Sequence, residues 1–392
     1  MPGKTILVDL TPYQTTHRFR GIGRYVRDLA SGLAEVLAES SSPHRVLPLA
    51  FLEGDGTPQI LDDFSLLRPV IDDRALDAAD APVRWRRRLY LGRAAKRVGA
   101  SCVHLPDARG TPLSSIARVV TCHDLIPLRF SDRYLNWKDG GAPLRRLRDA
   151  RRFRGASRVI AISEETKRDL ISLLSVDPAA ISVAYNGVDL GQWSADRGPD
   201  DDAIVAQKQL EQRPYLLYVG AFEWRKNAVG MVAALGAARR QGVDLTLAWV
   251  GKLSVDESRA LFAMAAEHGV EDRVQVLGFV DDRALAALYR RSLAHVMISL
   301  AEGFGLTLVE AMSCGAPVLS TAGSSLAEVA GDAALLVDPQ DHADVTRGIV
   351  QLARDPELRR QLGERGKTRS KRFSHLAFAR ATLAVYQRVL DA

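Results

Sequence analysis

Short runs rich in Val, Ile and Leu recur along this chain, each followed by a stretch with helical spacing. The first series is KTILVDL (4–10), RVLPLAF (45–51), SCVHL (101–105), ARVVTC (117–122), SRVIAI (157–162) and ISVAY (181–185). These runs are continuously apolar and do not alternate, the pattern of parallel strands covered on both faces. Helical patterns such as GRYVRDLASGLAEVLAES (23–40) and SEETKRDLISLL (163–174) lie between them, the second with Ser163 as its N-cap. A second series follows: YLLYVG (215–220), LTLAWVG (245–251), VQVLG (274–278), AHVMIS (294–299), PVLST (317–321) and AALLV (333–337). Two successive βαβ systems predict two doubly wound α/β domains. At 392 residues the chain also exceeds what one hydrophobic core usually holds. The polar stretch 191–214, with Gly198-Pro199 and three aspartates, reads as their connection. The expected division is a first domain at 1–190, a linker at 191–213, a second domain at 214–374 and a final helix at 375–392. That helix is amphipathic through Leu376, Ala379, Leu383, Tyr386 and Leu390, and one course for it is back across to the first domain. Ligands of such sheets bind beyond the carboxyl ends of the strands. With two domains facing each other, that place is the cleft.

Composition excludes several classes. No stretch approaches the roughly 18 apolar residues of a membrane span, and Asp9 interrupts the short apolar run near the start, so a secretory signal is not expected. The three cysteines, Cys102, Cys122 and Cys314, lack paired spacing, which argues against a disulfide framework or a zinc site. The cytoplasm is the expected compartment. The net charge of +6 is uneven: residues 1–190 carry 29 Lys and Arg against 22 Asp and Glu, and residues 84–154 carry 18 against 5. The clusters are Arg84–Arg97 and Arg145–Arg154. One reading is solvated helix faces. Another is an anionic partner such as a phosphate-bearing lipid, placing the chain peripherally at the inner face of the cell membrane. Nucleic acid is not an expected partner, because zinc-finger spacing, an RNP motif and a basic heptad pattern are all missing.

The densest chemistry lies in SLAEGFGLTLVEAMSCGAPVLS, Ser299 to Ser320. Glu302 follows the strand AHVMIS by three residues, so it sits in the loop at the strand's carboxyl end. Gly303 and Gly305 permit backbone conformations that a Cβ would block, Phe304 lies between them, and Gly303, Phe304, Gly305 and Leu306 are expected to contact the substrate. A helix then begins near Leu306, and its free N–H groups suit an anion. Glu310 lies about one turn further on. The stretch offers an acceptor, then N–H donors, then a second acceptor. A nucleoside diphosphate sugar presents sugar hydroxyls, a diphosphate and ribose hydroxyls in that order. Arg225 and Lys226 follow YLLYVG and are also at a strand's carboxyl end. Helix starts prefer acids, so two cations there suggest an anionic ligand. A cation about 4 Å from a developing charge contributes about 4 kcal/mol at an effective dielectric of about 20, and it serves a transition state more than a ground state.

HRFRGIGRYV (17–26) holds Gly21 and Gly23 but fails as a dinucleotide fingerprint, since Val26 takes the third glycine position. It fits a flexible loop opening a helix near a diphosphate. VVTCHDLIPL (119–128) ends a strand with His123-Asp124; no serine elbow accompanies them, which disfavours a hydrolase triad. Asp200-Asp201-Asp202 lies in the polar linker and not at a strand end, so no metal site is expected.

EGFGLTLVEAMSCGAPVLST resembles the Glu-x7-Glu signature of family 4 retaining glycosyltransferases, which have the GT-B fold of two Rossmann-like domains facing a central cleft. YVGAFEWRKN (218–227), LGFVDDRALAALYRRS (277–292) and RFS…VY (372–386) resemble other segments of the same family, so the likeness covers nearly the whole chain. It implies that Glu310 binds the donor ribose, that Glu302 contacts the sugar, and that Arg225 and Lys226 meet the diphosphate. It places His123 near the sugar's hydroxyls, with Asp124 either orienting it or contacting the acceptor. The GIGRY loop is frequent in the family, GVD at 187–189 resembles its hinge, and SEETK its cleft edge. The implied reaction is retaining hexosyl transfer without metal or cofactor. GIGRY and HDLIPL resemble mannosyltransferases of polysaccharide and O-antigen (lipopolysaccharide) assembly, which implies GDP-mannose as donor and a saccharide or lipid-linked glycan as acceptor. Rival readings are a sugar-nucleotide epimerase, a glycan phosphorylase, a nicotinamide dehydrogenase and a non-catalytic sugar-nucleotide-binding protein.

Overall fold

The computed structural model describes residues 3–14, 21–39, 44–51, 58–62, 64, 84–107, 116–135 and 141–391. His17–Arg20, the lead-in to the GIGRY stretch, lie outside the described residues, and the side chains of the basic segment Arg84–Arg97 are described from Tyr90 onward. The chain forms two compact units, residues 1–187 with 374–392, and residues 188–373.

In unit 1 the strands are β1 (Thr5–Asp9), β2 (Arg45–Phe51), β3 (Pro58–Ile60), β4 (Ala100–Leu105), β5 (Ala117–Cys122), β6 (Arg158–Ala161) and β7 (Ile181–Val183). They form one sheet in the order β3-β2-β1-β4-β5-β6-β7. Every pairing is parallel except β2 with β3. The antiparallel β3 escapes sequence reading because it is three residues long and starts with proline, a residue confined to sheet edges and strand starts. Unit 2 contributes β8 (Tyr215–Val219), β9 (Thr246–Val250), β10 (Val274–Gly278), β11 (Ala294–Met297), β12 (Val318–Thr321) and β13 (Leu335–Val337). Their order is β10-β9-β8-β11-β12-β13, all parallel. The apolar runs fill both cores: Leu7, Val103, Val120 and Val159 in unit 1, Leu216, Leu247, Val296 and Leu319 in unit 2, each essentially unexposed.

The stretch expected as a linker is instead part of unit 2. Trp193 is fully buried, and its carbonyl accepts from the Ser313 hydroxyl. A short helix, Asp201–Gln207, follows. Buried Asp201 accepts from Arg290 Nε and Nη2, both at 2.7 Å. The Arg290 hydrogen bond holds the Asp201 carboxyl below its usual range even though burial pushes it up. Asp200 pairs with Arg283, and Asp202 with Arg197 and Arg291. The polar composition reflects ion pairing across helices, not a tether.

The helix His375–Leu390 belongs to unit 1. It lies against the helix Gly21–Ala38 so closely that a Cβ on Gly32 would collide with the His375 carbonyl. Its buried stripe runs through Phe378, Ala379, Thr382, Val385, Tyr386 and Leu390, while Leu376 and Leu383 lie half-buried at its margin. All three cysteines are buried and unpaired, and burial pushes the Cys102 and Cys314 thiols up to about 12. No helix among the described residues is long and apolar enough to cross a membrane.

Candidate active site

The order of the unit 2 sheet reverses between β8 and β11, which pair with each other. At such a switch point the loops leaving neighbouring strands part and leave a crevice. The loop after β8 ends in a 3-10 turn, Trp224–Lys226, which presents both predicted cations. The next helix is Ala228–Arg240. Asn227 caps it from the left-handed region, accepting from Gly230 N and donating to the Pro339 carbonyl at 2.7 Å. Backbone ties the two loops together, with Leu300 N donating to the Arg225 carbonyl at 2.7 Å.

Glu302 is the centre of this arrangement. Lys226 Nζ donates to one carboxylate oxygen, and Arg225 Nη1 lies 2.8 Å from the other. The Ser299 hydroxyl adds a third contact at 3.0 Å, and Ser325 donates to the Glu302 carbonyl at 2.7 Å. Burial would raise the Glu302 carboxyl, but the charges of Lys226 and Arg225 outweigh it and hold the group below its ordinary value. The three side chains keep 10–19% of their surface exposed, so the cluster is sunk but reachable.

The helix Leu306–Ser313 starts as predicted. Gly305 precedes it at φ +102°, and a Cβ there would stand 2.5 Å from Leu326 Cδ2, so this position needs glycine on two grounds. Gly303 does not share that positive φ. Leu306 is half-buried at the helix start. Phe304, expected among the ligand contacts, is 3% exposed and packs edge-on to Phe373, which makes it an anchor for the turn. Glu310 is an interior residue, 1% exposed, accepting from the Tyr289 hydroxyl at 3.4 Å. Ser299, Ser325 and Tyr289 are the contributors that sequence reasoning passed over. Spacing gives a signal only for Ser299, three residues before Glu302 in the same loop.

In unit 1, Gly21 and Gly23 occupy the first turn of the helix Gly21–Ala38, inside the helix that the flexible loop was expected to open. His123 leaves the carboxyl end of β5, half-buried, with Nε2 2.7 Å from the Pro106 carbonyl. A carbonyl only accepts, so Nε2 carries the proton. Asp124 is exposed and accepts from Ile126 N at 3.1 Å, just ahead of the short helix Ile126–Arg129.

Comparison with known proteins decides the family. Residues 19–192 match Glycosyltransferase Family 4, and residues 200–369 match Glycosyl transferases group 1. A D-inositol 3-phosphate glycosyltransferase of Pseudarthrobacter chlorophenolicus is 30% identical over 75% of this chain and 69% of its own length. The chain belongs to the family 4, or group 1, glycosyltransferases. Another relative of this glycosyltransferase is the serotype-specific mannosyltransferase WbdA of Escherichia coli, 27% identical over 98% of this chain. The chain spans about half the length of its Escherichia coli mannosyltransferase relatives, 48% and 50%. The fold is GT-B: the crystal structure of Anabaena HepE in complex with UDP-glucose superposes at a TM-score of 0.73 over 99% of this glycosyltransferase and 100% of that chain, at 19% identity.

Proposed function

We propose that this glycosyltransferase moves a hexose, mannose by preference, from a nucleoside diphosphate sugar to a hydroxyl of a saccharide or lipid-linked glycan, with retention of configuration and without a metal. The observation that carries the reading is the Lys226–Glu302–Arg225 cluster at the switch point of unit 2, beside the start of the helix Leu306–Ser313. Lys226 and Arg225 would take the diphosphate, Glu302 a sugar hydroxyl and Glu310 the ribose. His123, with Nε2 protonated, would accept a hydrogen bond from a sugar hydroxyl at Nδ1. Gly21, Gly23 and Asp124 belong to the same reading on the side of unit 1. The bond from the anomeric carbon to the phosphate oxygen breaks, the acceptor oxygen bonds to that carbon on the same face, and the acceptor's proton passes to the departing phosphate oxygen. Negative charge grows on the leaving group, where two cations stabilise it most.

Mannose is supported by the names of the WbdA and O-antigen chain mannosyltransferase relatives. The D-inositol 3-phosphate glycosyltransferases favour a second reading of the acceptor, a small phosphorylated polyol. A thermal-shift panel of nucleotide sugars tests the donor. Selective stabilisation by GDP-mannose is expected, and stabilisation by UDP-sugars alone would replace it. Transfer should persist in excess chelator, and loss of transfer there would end the metal-free reading. An anionic membrane is the partner proposed for the helix Gly141–Arg154, which exposes Leu144 and Leu147 among Arg146, Arg148 and Arg151. Anionic liposomes at low salt should retain the protein, and neutral ones should not.

A further inference from the structure

Beneath His123 lies a buried polar chain that the proposed reaction does not use. His104, on β4, is fully enclosed and bonded at both ring nitrogens. Nδ1 is 2.6 Å from the Tyr386 hydroxyl and Nε2 is 2.9 Å from the Thr121 hydroxyl. Thr121, on β5, is in turn 2.8 Å from the hydroxyl of Tyr25, on the helix Gly21–Ala38. Two helices from opposite ends of the chain and two neighbouring strands therefore meet through four side chains, all buried. Burial lowers His104 to about 3 and raises both tyrosines, so the chain is neutral at any ordinary pH.

The geometry of its ends gives this chain a use. Two residues beyond His104, Pro106 supplies the carbonyl that accepts from His123 Nε2. Two residues beyond Thr121 is His123 itself. Tyr25 packs its ring edge-on to the His123 imidazole, with centroids 4.8 Å apart and planes at 84°. The His104–Thr121 bond thus joins the two strand ends whose next residues make the Pro106–His123 bond. The Thr121–Tyr25 bond fixes the ring against which His123 rests. Buried hydrogen bonds of this kind are costly to leave half-made, so each link constrains the next.

We infer that Tyr25, Thr121 and His104, anchored by Tyr386 of the last helix, are positioning residues that hold the His123 ring with Nε2 protonated and Nδ1 as its acceptor. The inference rests on the proposed role of His123 in transfer, and it concerns orientation and tautomer, not contact with substrate.

The test uses the full chain with 15N-labelled histidine. In the wild type, the His123 ring nitrogens should show the shifts of a single Nε2–H tautomer. Thr121→Val and Tyr25→Phe keep the packing and remove one link each. Both should give a mixed or exchange-broadened His123 signal. Both should also lower kcat about tenfold, the scale of a modest misplacement of a reacting group, with the KM for the donor nearly unchanged. His104→Gln, which keeps one hydrogen bond, should fall between them and the wild type. An unchanged His123 tautomer in both conservative variants overturns the inference, as does a lower thermal midpoint with normal kcat in the folded fraction. His123→Ala separates the underlying reading. Wild-type turnover in that variant removes His123 from the reaction, while the ring-nitrogen spectra still decide whether the chain sets its tautomer.

Discussion

Lys226 and His123 both follow buried parallel strands, yet the two units build their sites on opposite principles. In unit 2 the site is ionic. One carboxylate is shared by two cations, so its geometry comes from mutual attraction within a crevice. In unit 1 the site is neutral. His123 takes its place from a carbonyl, a ring edge and, below them, uncharged hydrogen bonds. An ionic site can exchange partners: in the proposed function, a diphosphate would offer Lys226 and Arg225 what Glu302 now supplies. A neutral, enclosed site cannot exchange anything without breaking buried bonds, and so it suits orientation.

Three experiments press on that contrast. The largest effect should come from Lys226→Ala, which removes the cation proposed to meet leaving-group charge. Turnover should fall by on the order of 10²–10³, and near-normal turnover would strip the ionic site of its assigned role. Acid titration comes next. Burial lowers His104 to about 3 and His295, in unit 2, to about 4, while an unfolded histidine titrates near 6.5. The unfolded chain therefore gains protons that the folded one does not, and stability must fall as pH falls below about 6.5. Each histidine should cost about 2 kcal/mol by pH 5. Glu302 acts later and only in unit 2. Its depressed carboxyl contributes stability above the unfolded value of about 4.3 and loses it as pH falls through the lower folded value. Denaturant melts of His104→Gln and His295→Gln from pH 7.5 to 5 check the first step. An unchanged slope in both would show that these rings are not buried and neutral. The smallest effect is expected from Glu310→Gln, which keeps the packing against Tyr289 but removes the charge proposed to grip ribose. Calorimetry should show nucleotide affinity reduced about tenfold, or about 1.4 kcal/mol. Unchanged affinity would leave Glu310 a residue of the interior alone.

Much of this was legible because apolar periodicity and strand-end chemistry are local. All twelve predicted strands are present, and Glu302, Arg225 and Lys226 come together because their strands neighbour each other at the reversal of sheet order. What stayed hidden depends on distant partners. Asp201 reads as linker polarity until Arg290, far along the chain, is placed against it. Phe304 reads as a ligand contact until Phe373 covers it. His104 has no motif at all, and its meaning comes from Tyr386, 282 positions away.

That distance bears on how the chain is made. Unit 1 is closed by residues 374–392, which leave the ribosome only after the whole of unit 2. At roughly 5–20 residues per second, the nascent first unit waits on the order of ten to forty seconds with the slot for its last helix unfilled and His104 short of one partner. A newborn chain therefore passes through a stage in which its second half is complete while its first half is still open to water, and chaperones would meet it in that form.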